Sequence, residues 1–210
     1  NQTLNVSGEV SGSAALTVSG GGIVALGGVA TYTGGTIVSA GSTLQLIANS
    51  VLPNATNAIS SPGSITNNGT LDLAGTAQPI NGLNGGGKVD NTAVGPATLI
   101  VGLNNDSGNF AGTIQDTGGS LALEQYGAGT LTLSGSNNYS GATTINAGRI
   151  IVNAASALSP NTAVTVSGST NQFFINTAGA FSNNFTISGI GFNDANNFDG
   201  ALRLSSGDTL

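Results

Sequence analysis

The chain has 210 residues, of which 39% are hydrophobic and 6% charged, with a net charge of −6. It holds three cationic residues, Lys88, Arg149 and Arg203, and no His, Cys, Met or Trp. That inventory excludes nucleic acid as a partner, disulfides, thiolate metal sites and any serine hydrolase that uses a histidine base. The hydrophobic residues come in twos and threes, far from the roughly 18 consecutive apolar residues of a membrane helix. Lack of cysteine suits export through a bacterial envelope as well as a cytosolic life.

In chain order, the recurring unit is a turn closed by Gly or Asn, then two apolar residues separated by one other, then another turn. The pairs are Leu4/Val6, Leu16/Val18, Leu44/Leu46, Leu71/Leu73, Leu99/Val101, Leu121/Leu123, Leu131/Leu133, Ile150/Val152, Val164/Val166, Phe185/Ile187 and Leu202/Leu204. On a strand both members of a pair face one side. Between them stand Asn5, Thr17, Gln45, Asp72, Thr132, Thr165, Thr186 and Arg203, which predicts a polar, wet outer face. No window spaces apolar residues by three and four, and Gly is too evenly spread for helix interiors, so almost no helix is expected.

Gly127 to Val152 reads GAGTLTLSGSNNYSGATTINAGRIIV, and a degraded copy runs from Ala15 to Leu46. Leu16 and Val18 align with Leu131 and Leu133, a small insertion follows, and Tyr32, Gly34 and Gly41 then keep the spacing of Tyr139, Gly141 and Gly148. Short strands at roughly 10 to 20 residue intervals are too irregular for two-residue hairpins, and each buries little by itself. Coiling solves both problems, because each strand then pairs in parallel with its equivalent one turn on. The expectation is an elongated all-β solenoid of roughly nine or ten coils, at about 20 to 25 residues each. Leu121, Leu123, Leu131, Leu133, Ile145, Ile150 and Val152 should face inward. Asparagines in the turns (Asn67, Asn68, Asn104, Asn105, Asn137, Asn138, Asn183, Asn184, Asn196, Asn197) tolerate left-handed backbone and can bond to neighbouring turns, so they read as structural. Tyr32 and Tyr139 share one repeat position before a Gly, which predicts a common job at a coil corner.

Candidate chemical sites are few. Gly82 to Lys88 matches the first part of a phosphate-binding loop, but Val89 stands where a metal-binding Ser or Thr is needed, and Val89 to Pro96 has no helical pattern. Asp194 with Asp199, and Asp106 with Asp116, are the carboxylate pairs to weigh for glycoside hydrolysis, which needs two carboxyls at a defined separation in a cleft. No aromatic-lined, basic surround accompanies them, and solvated turns are the ordinary home of such aspartates. Oxygen ligands abound without any calcium-loop or nonapeptide spacing. Phe173, Phe174, Phe181, Phe185, Phe192 and Phe198 crowd the last third and invite a carbohydrate-binding reading, although filling the core explains them better. No catalytic, cofactor or metal residue is therefore assigned.

The block from Phe110-Ala111-Gly112-Thr113-Ile114-Gln115-Asp116 through Ser120 to Leu123, Gly127 to Gly135, Asn137 to Gly141 and Thr143 to Gly148 resembles the autotransporter-associated β-strand repeat of Gram-negative passenger proteins. The resemblance is strongest over Leu99 to Pro160 and weaker over Ala15 to Pro53, and Gly200 to Leu210 is similar to another segment common in such proteins. It implies a right-handed, single-stranded parallel β-helix, secreted to the bacterial cell surface through a C-terminal outer-membrane barrel. That barrel is not in these residues, since the three Tyr and seven Phe are too few for its aromatic girdles.

The expected role is a non-catalytic stalk or adhesin that meets host-cell, matrix or neighbouring-cell surfaces. The alternatives are a polysaccharide-acting enzyme on the same fold, and an ice- or surface-binding solenoid, for which Thr31/Thr33 and Thr130/Thr132 are the only flat threonine pairs. Residues 1–210 read as one β-helix section of a larger passenger, with repeat copies near 15–53 and 99–160. Binding should map to the interrupting loops, Ala48 to Pro62 and Asn176 to Phe198. Neither end carries a visible cap, so the isolated section is expected to fray or to associate end to end.

Overall fold

The computed structural model describes residues 2–49, 51–53, 63–192 and 200–205, and the backbone alone of 193–194 and 197–198. Each apolar pair fixes a short strand, and the strands coil around one another in three faces. The first face stacks Thr3–Val6, Ile23–Leu26, Thr43–Leu46, Thr70–Asp72, Lys88–Asp90 and Thr113–Ile114. The second stacks Ala77–Pro79, Ala97–Val101, Leu121–Gln125, Thr143–Ile145, Val164–Val166 and Phe185–Ile187. The third runs from Leu16–Val18 through Thr36–Val38, Ile65–Asn67 and Leu83–Asn84 to Gly108–Phe110, Thr130–Leu133, Arg149–Val152, Gln172–Ile175 and Leu202–Leu204, its two sheets joined by a bridge between Gly85 and Phe110. Pairing between successive rungs is parallel throughout these faces. Among the described residues the only helical turn is the 3₁₀ segment Ala155–Ala157.

Nine rungs on the third face make about eight full turns, slightly fewer than the nine or ten coils expected. The shortfall comes from uneven advance: Ile65 pairs with Thr36 on one side and Leu83 on the other. The interval from Thr36 to Ile65 is longer than that from Ile65 to Leu83 and uses residues that a regular coil would spend on another turn.

Packing obeys the pairs. Leu44, Leu71, Val89 and Ile114 form one inward column in register, and the seven residues expected inward, Leu121 to Val152, are all buried. Leu4 is 62% exposed and Ile187 is 44% exposed, because each lies on an outermost rung with a partner strand on one side alone. The outer face is not uniformly wet either. Asp72, between Leu71 and Leu73, is only 2% exposed.

Three faces are not complete at every level. Rungs from Thr70 to Leu133 carry strands on all three, earlier rungs only on the first and third, and later rungs only on the second and third. Where a sheet starts or stops, a side-chain amide takes the place of a missing peptide. At the start of the second face Gln78 accepts from the Val51 amide (3.1 Å) and donates to Ala48 O (2.5 Å). At the end of the first face Asn137 accepts from the Ile114 amide (2.7 Å) and donates to Ala157 O (2.6 Å). An amide matches a peptide in having one acceptor and an N–H donor, so backbone groups at the sheet margin stay satisfied.

This incompleteness reveals what the repeat is. Val24 and Leu26, not Leu16 and Val18, correspond to Leu131 and Leu133: Tyr32 follows Leu26, and Tyr139 follows Leu133, at the same interval with no insertion. Equivalent glycines agree, since Gly41 (φ 77°) and Gly148 (φ 68°) both take the left-handed conformation. One copy is thus strand, loop side, strand, strand. In the lower copy the strands lie on faces one, three and one, and in the upper copy on faces three, two and three. The same module is turned by one face between its two occurrences, so its loop side occupies the second face below and the first face above.

Glycine permits the corners to close. Gly87, Gly112 and Gly135 follow one another up one corner, and a Cβ on any of them would overlap the backbone carbonyl of the glycine beneath, Gly69, Gly87 and Gly112 respectively. Rungs pitched at about 4.8 Å leave no room there for a side chain.

Candidate binding face

The glycine-rich segment Gly82 to Lys88 is a coil corner. Leu83–Asn84 is a strand, and Lys88 opens the next strand directly, so no helix N-terminus is present to receive an anion. Gly85 has φ 104°, and a Cβ there would overlap the Asn67 carbonyl. Its conformation is thus explained by the tight approach of two rungs.

Asp106 and Asp116, weighed as one carboxylate pair, stand at different corners of the coil. Asp106 lies between Ala97–Val101 and Gly108–Phe110 and accepts from Ser64 Oγ (3.0 Å). Asp116 lies between Thr113–Ile114 and Leu121–Gln125, and its Oδ2 accepts from the Leu121 amide, the Ser140 amide and Ser140 Oγ at 3.1, 2.7 and 2.6 Å. Asp199 and the side chain of Asp194 lie outside the described residues.

Two other aspartates are the most enclosed. Asp72 and Asp90 are register partners on adjacent rungs of the first face and both are buried. Asp72 accepts from Gln45 Nε2 (2.8 Å), the Ala74 amide (3.0 Å), the Thr92 amide (3.1 Å) and Thr92 Oγ1 (2.7 Å). Asp90 accepts from Gln115 Nε2 (2.7 Å), the Thr117 amide (3.0 Å) and Thr117 Oγ1 (3.1 Å). Each carboxylate ties its own rung to the next, which is structural work. Sequence reading passed over them because Asp72 sits between two leucines, where threonines are usual, and Asp90 closes a strand just before Asn91. A signal was available: each is answered one coil later by a Thr beyond the strand.

The aromatic group divides. Phe173 is core and meets Phe185 at 5.8 Å between ring centroids, while Phe181 and Phe185 are partly buried against the core. Phe174 and Phe192 are instead on the surface under guanidinium groups, Arg203 lying 4.5 Å from the Phe174 centroid and Arg149 4.6 Å from that of Phe192. The Phe198 side chain lies outside the described residues. Of the loops expected to bind, 54–62 lie outside the described residues; the other folds back as an antiparallel pair, Asn193–Asp194 with Asn197–Phe198. Phe192 on Arg149, and Gln172 Nε2 donating to Gly200 O (2.9 Å), hold it against the coil. The two threonine pairs share no column, because Thr31 and Thr33 lie on the lower loop side and Thr130 and Thr132 on the third face.

Asn67, Asn68, Asn105, Asn137 and Asn183 make the rung-to-rung bonds expected of turn asparagines. Asn67 Nδ2 donates to Lys88 O (2.7 Å), the Gly86 amide donates to Asn68 Oδ1 (3.2 Å), and the Ala128 amide donates to Asn105 Oδ1 (2.9 Å). Tyr32 and Tyr139 also keep their common role. Each is buried at its loop side and bonds the Thr four residues on, and burial pushes both phenols up to about 12 against a smaller opposing effect of that bond.

Both loop sides are concave. The lower one forms a hollow between Val10–Leu16 and Tyr32, and the upper one a groove of about 380 Å³. Three successive rungs build the groove: Ser136 to Asn138, then Ala155 to Pro160, then Ala180 to Asn183. Leu158 and Pro160 form its apolar part, Phe181 is half-buried at one rung, and Ser136, Asn138, Ser156 and Ser182 are exposed. Its frame is fixed. Ser159 Oγ donates to Tyr139 O (2.6 Å), and Asn183 Nδ2 donates to Ser159 O (2.8 Å) and Thr162 O (2.9 Å).

The passenger-associated-transport-repeat family model matches residues 16–46 and 123–152, the two repeat copies. A stretch of 126 residues, 60% of this chain, is 30% identical to the adhesin BmaC autotransporter of Brucella suis biovar 1 (strain 1330). The chain spans about 4% of the length of that relative. No solved structure matches the chain.

Proposed function

We propose that this chain is repeat-bearing autotransporter passenger sequence, secreted and displayed on the bacterial cell surface, and that it forms a non-catalytic section of an adhesive stalk. The observation that supports this most is the division of labour within the repeat. Three strands of each copy are committed to the coil, while its loop side is concave and carries exposed side chains. A solenoid of this kind gains length by adding rungs and displays loops along that length.

Catalysis has less support. Of the described carboxylates, Glu9, Asp72, Asp90, Asp106 and Asp116 are engaged in bonds between rungs, whereas glycoside hydrolysis needs a pair held at a defined separation in a cleft. On this reading the chain continues at both ends into a longer passenger that leads to an outer-membrane barrel, and its partners are host-cell, matrix or neighbouring-cell surfaces. The 210-residue chain coupled to beads tests the proposal. Beads should adhere to cultured cells, matrix-coated wells or bacteria carrying the full passenger, while the soluble chain turns over no polysaccharide. Adhesion no greater than that of uncoated beads on every surface, or reproducible glycan turnover, would overturn it.

A further inference from the structure

We propose that the groove on the upper loop side binds a neutral sugar unit of a glycan, with one pyranose face against Phe181. This deepens the adhesive reading and rests on it for biological meaning, but the chemistry comes from the lining itself. None of the residues that line the groove is ionisable. An anionic or cationic ligand would lose hydration on entering without a countercharge in return, which disfavours phosphates, acidic polysaccharides and basic peptides.

A pyranose offers what this lining can use. Its axial C–H faces pack on an aromatic ring, and its edges carry hydroxyls that both donate and accept. Phe181 supplies a ring that is packed against the core on one side and partly open on the other. Leu158 and Pro160 extend the apolar part. Ser136, Asn138, Ser156 and Ser182 are exposed and spend no side-chain bond on the protein, so their capacity is available to a ligand.

Rigidity strengthens the case. The Asn183 amide is locked by two bonds from Nδ2 to main-chain carbonyls, which leaves Oδ1 as an acceptor of fixed direction. Asn137 is bonded at both ends of its amide to the rungs on either side, so the floor of the groove cannot drift. A site already ordered in the free protein loses little entropy on binding. Its volume, about 380 Å³, holds one or two sugar units and not a folded partner.

The test uses the 210-residue chain, labelled with ¹⁵N and titrated with maltohexaose, cellohexaose, chitohexaose and laminarihexaose. At least one should shift resonances of 136–138, 155–160 and 180–183 with a Kd on the order of 0.1 to 1 mM, as expected of a small neutral ligand. Phe181→Ala should weaken that binding tenfold or more, and Phe181→Tyr should retain it. Asn138→Asp places a charge on an exposed side chain without disturbing the core, so it should weaken binding severalfold at an unchanged melting temperature. No shift in the groove from any of the four at about 10 mM, or binding indifferent to Phe181→Ala and Asn138→Asp, overturns the proposal. Beads that still adhere to cells through both variants sink the sugar site and leave the adhesive reading intact. Beads that adhere to nothing sink the adhesive reading, and the titration judges the groove independently.

Discussion

Tyr139 and Thr143 share a buried hydrogen bond of 2.7 Å whose direction is set by a third residue. Thr162 Oγ1 donates to Gly141 O (2.7 Å) and lies 2.9 Å from Thr143 Oγ1. With the Thr162 proton committed, Thr143 donates to Thr162, and Tyr139 must donate to Thr143. The proton chain crosses two rungs and closes the loop side from within.

Tyr139→Phe removes the first donor and leaves Thr143 otherwise bonded, so it should cost about 1 to 2 kcal/mol. Thr143→Val strands the buried phenol and breaks both contacts, and should cost more than Tyr139→Phe. Urea melts of the two variants and of the double variant give the coupling. Equal and additive losses would show that the three hydroxyls do not act as one chain.

Alkali offers a second reading of the same residues. Tyr32 and Tyr139 are pushed up to about 12 in the folded chain, mainly by burial. An unfolded tyrosine ionises near 10. Between those values the unfolded chain releases protons that the native one retains, so stability is intact below about pH 10 and falls as pH rises towards 12. Circular dichroism should hold to about pH 10 and then decline, and tyrosinate absorbance from these two residues should rise together with that loss and not before it.

Asp72 is the carboxylate most costly to remove. Asp72→Ala leaves Gln45 Nε2, the Ala74 and Thr92 amides and Thr92 Oγ1 without their acceptor. A loss of about 2 to 4 kcal/mol is expected in chemical denaturation, since buried donors left unmatched cost most. Asp106→Ala, which gives up one bond from Ser64 at a half-buried site, should cost less than about 1 kcal/mol. Equal effects would mean that burial of Asp72 is unimportant.

Gly135→Ala tests the corner. Its new methyl would fall on the Gly112 carbonyl, so one rung must move away from the next. The change should lower the melting temperature by several degrees and speed amide exchange at Ser134, whose N–H donates to Phe110 O (3.1 Å), by at least tenfold. Gly86→Ala, which would meet open space, is the control and should be close to neutral.

Apolar spacing made the coil legible from the sequence, because a one-sided core requires period two and nothing else in the chain competes with it. Tyr32 and Tyr139 were legible as equivalents for a similar reason: an aromatic before Gly at a fixed interval is rare in so plain a composition. Which face a strand occupies was not legible. That depends on how far each turn advances around the coil, and Leu16/Val18 imitates Val24/Leu26 closely enough to take its place in an alignment by pattern. Burial of Asp72 was hidden for another reason, since its cover comes from Gln45 and Thr92 on neighbouring rungs. The groove at Phe181 was invisible too, because it exists only where the first sheet stops and three loops stack in its place.

The one-face turn between the two repeat copies limits how the chain can be gripped. Tyr32 and Tyr139 are five rungs apart, about 24 Å along the axis at 4.8 Å per rung, and their loop sides look outward a third of a circumference apart. A flat, rigid surface can therefore touch one loop side at a time. A long flexible polymer can wind around the shaft and occupy both, and its second contact then forms at the high effective concentration set by the first. A partner that engages both loop sides should accordingly be a flexible chain and not a planar lattice.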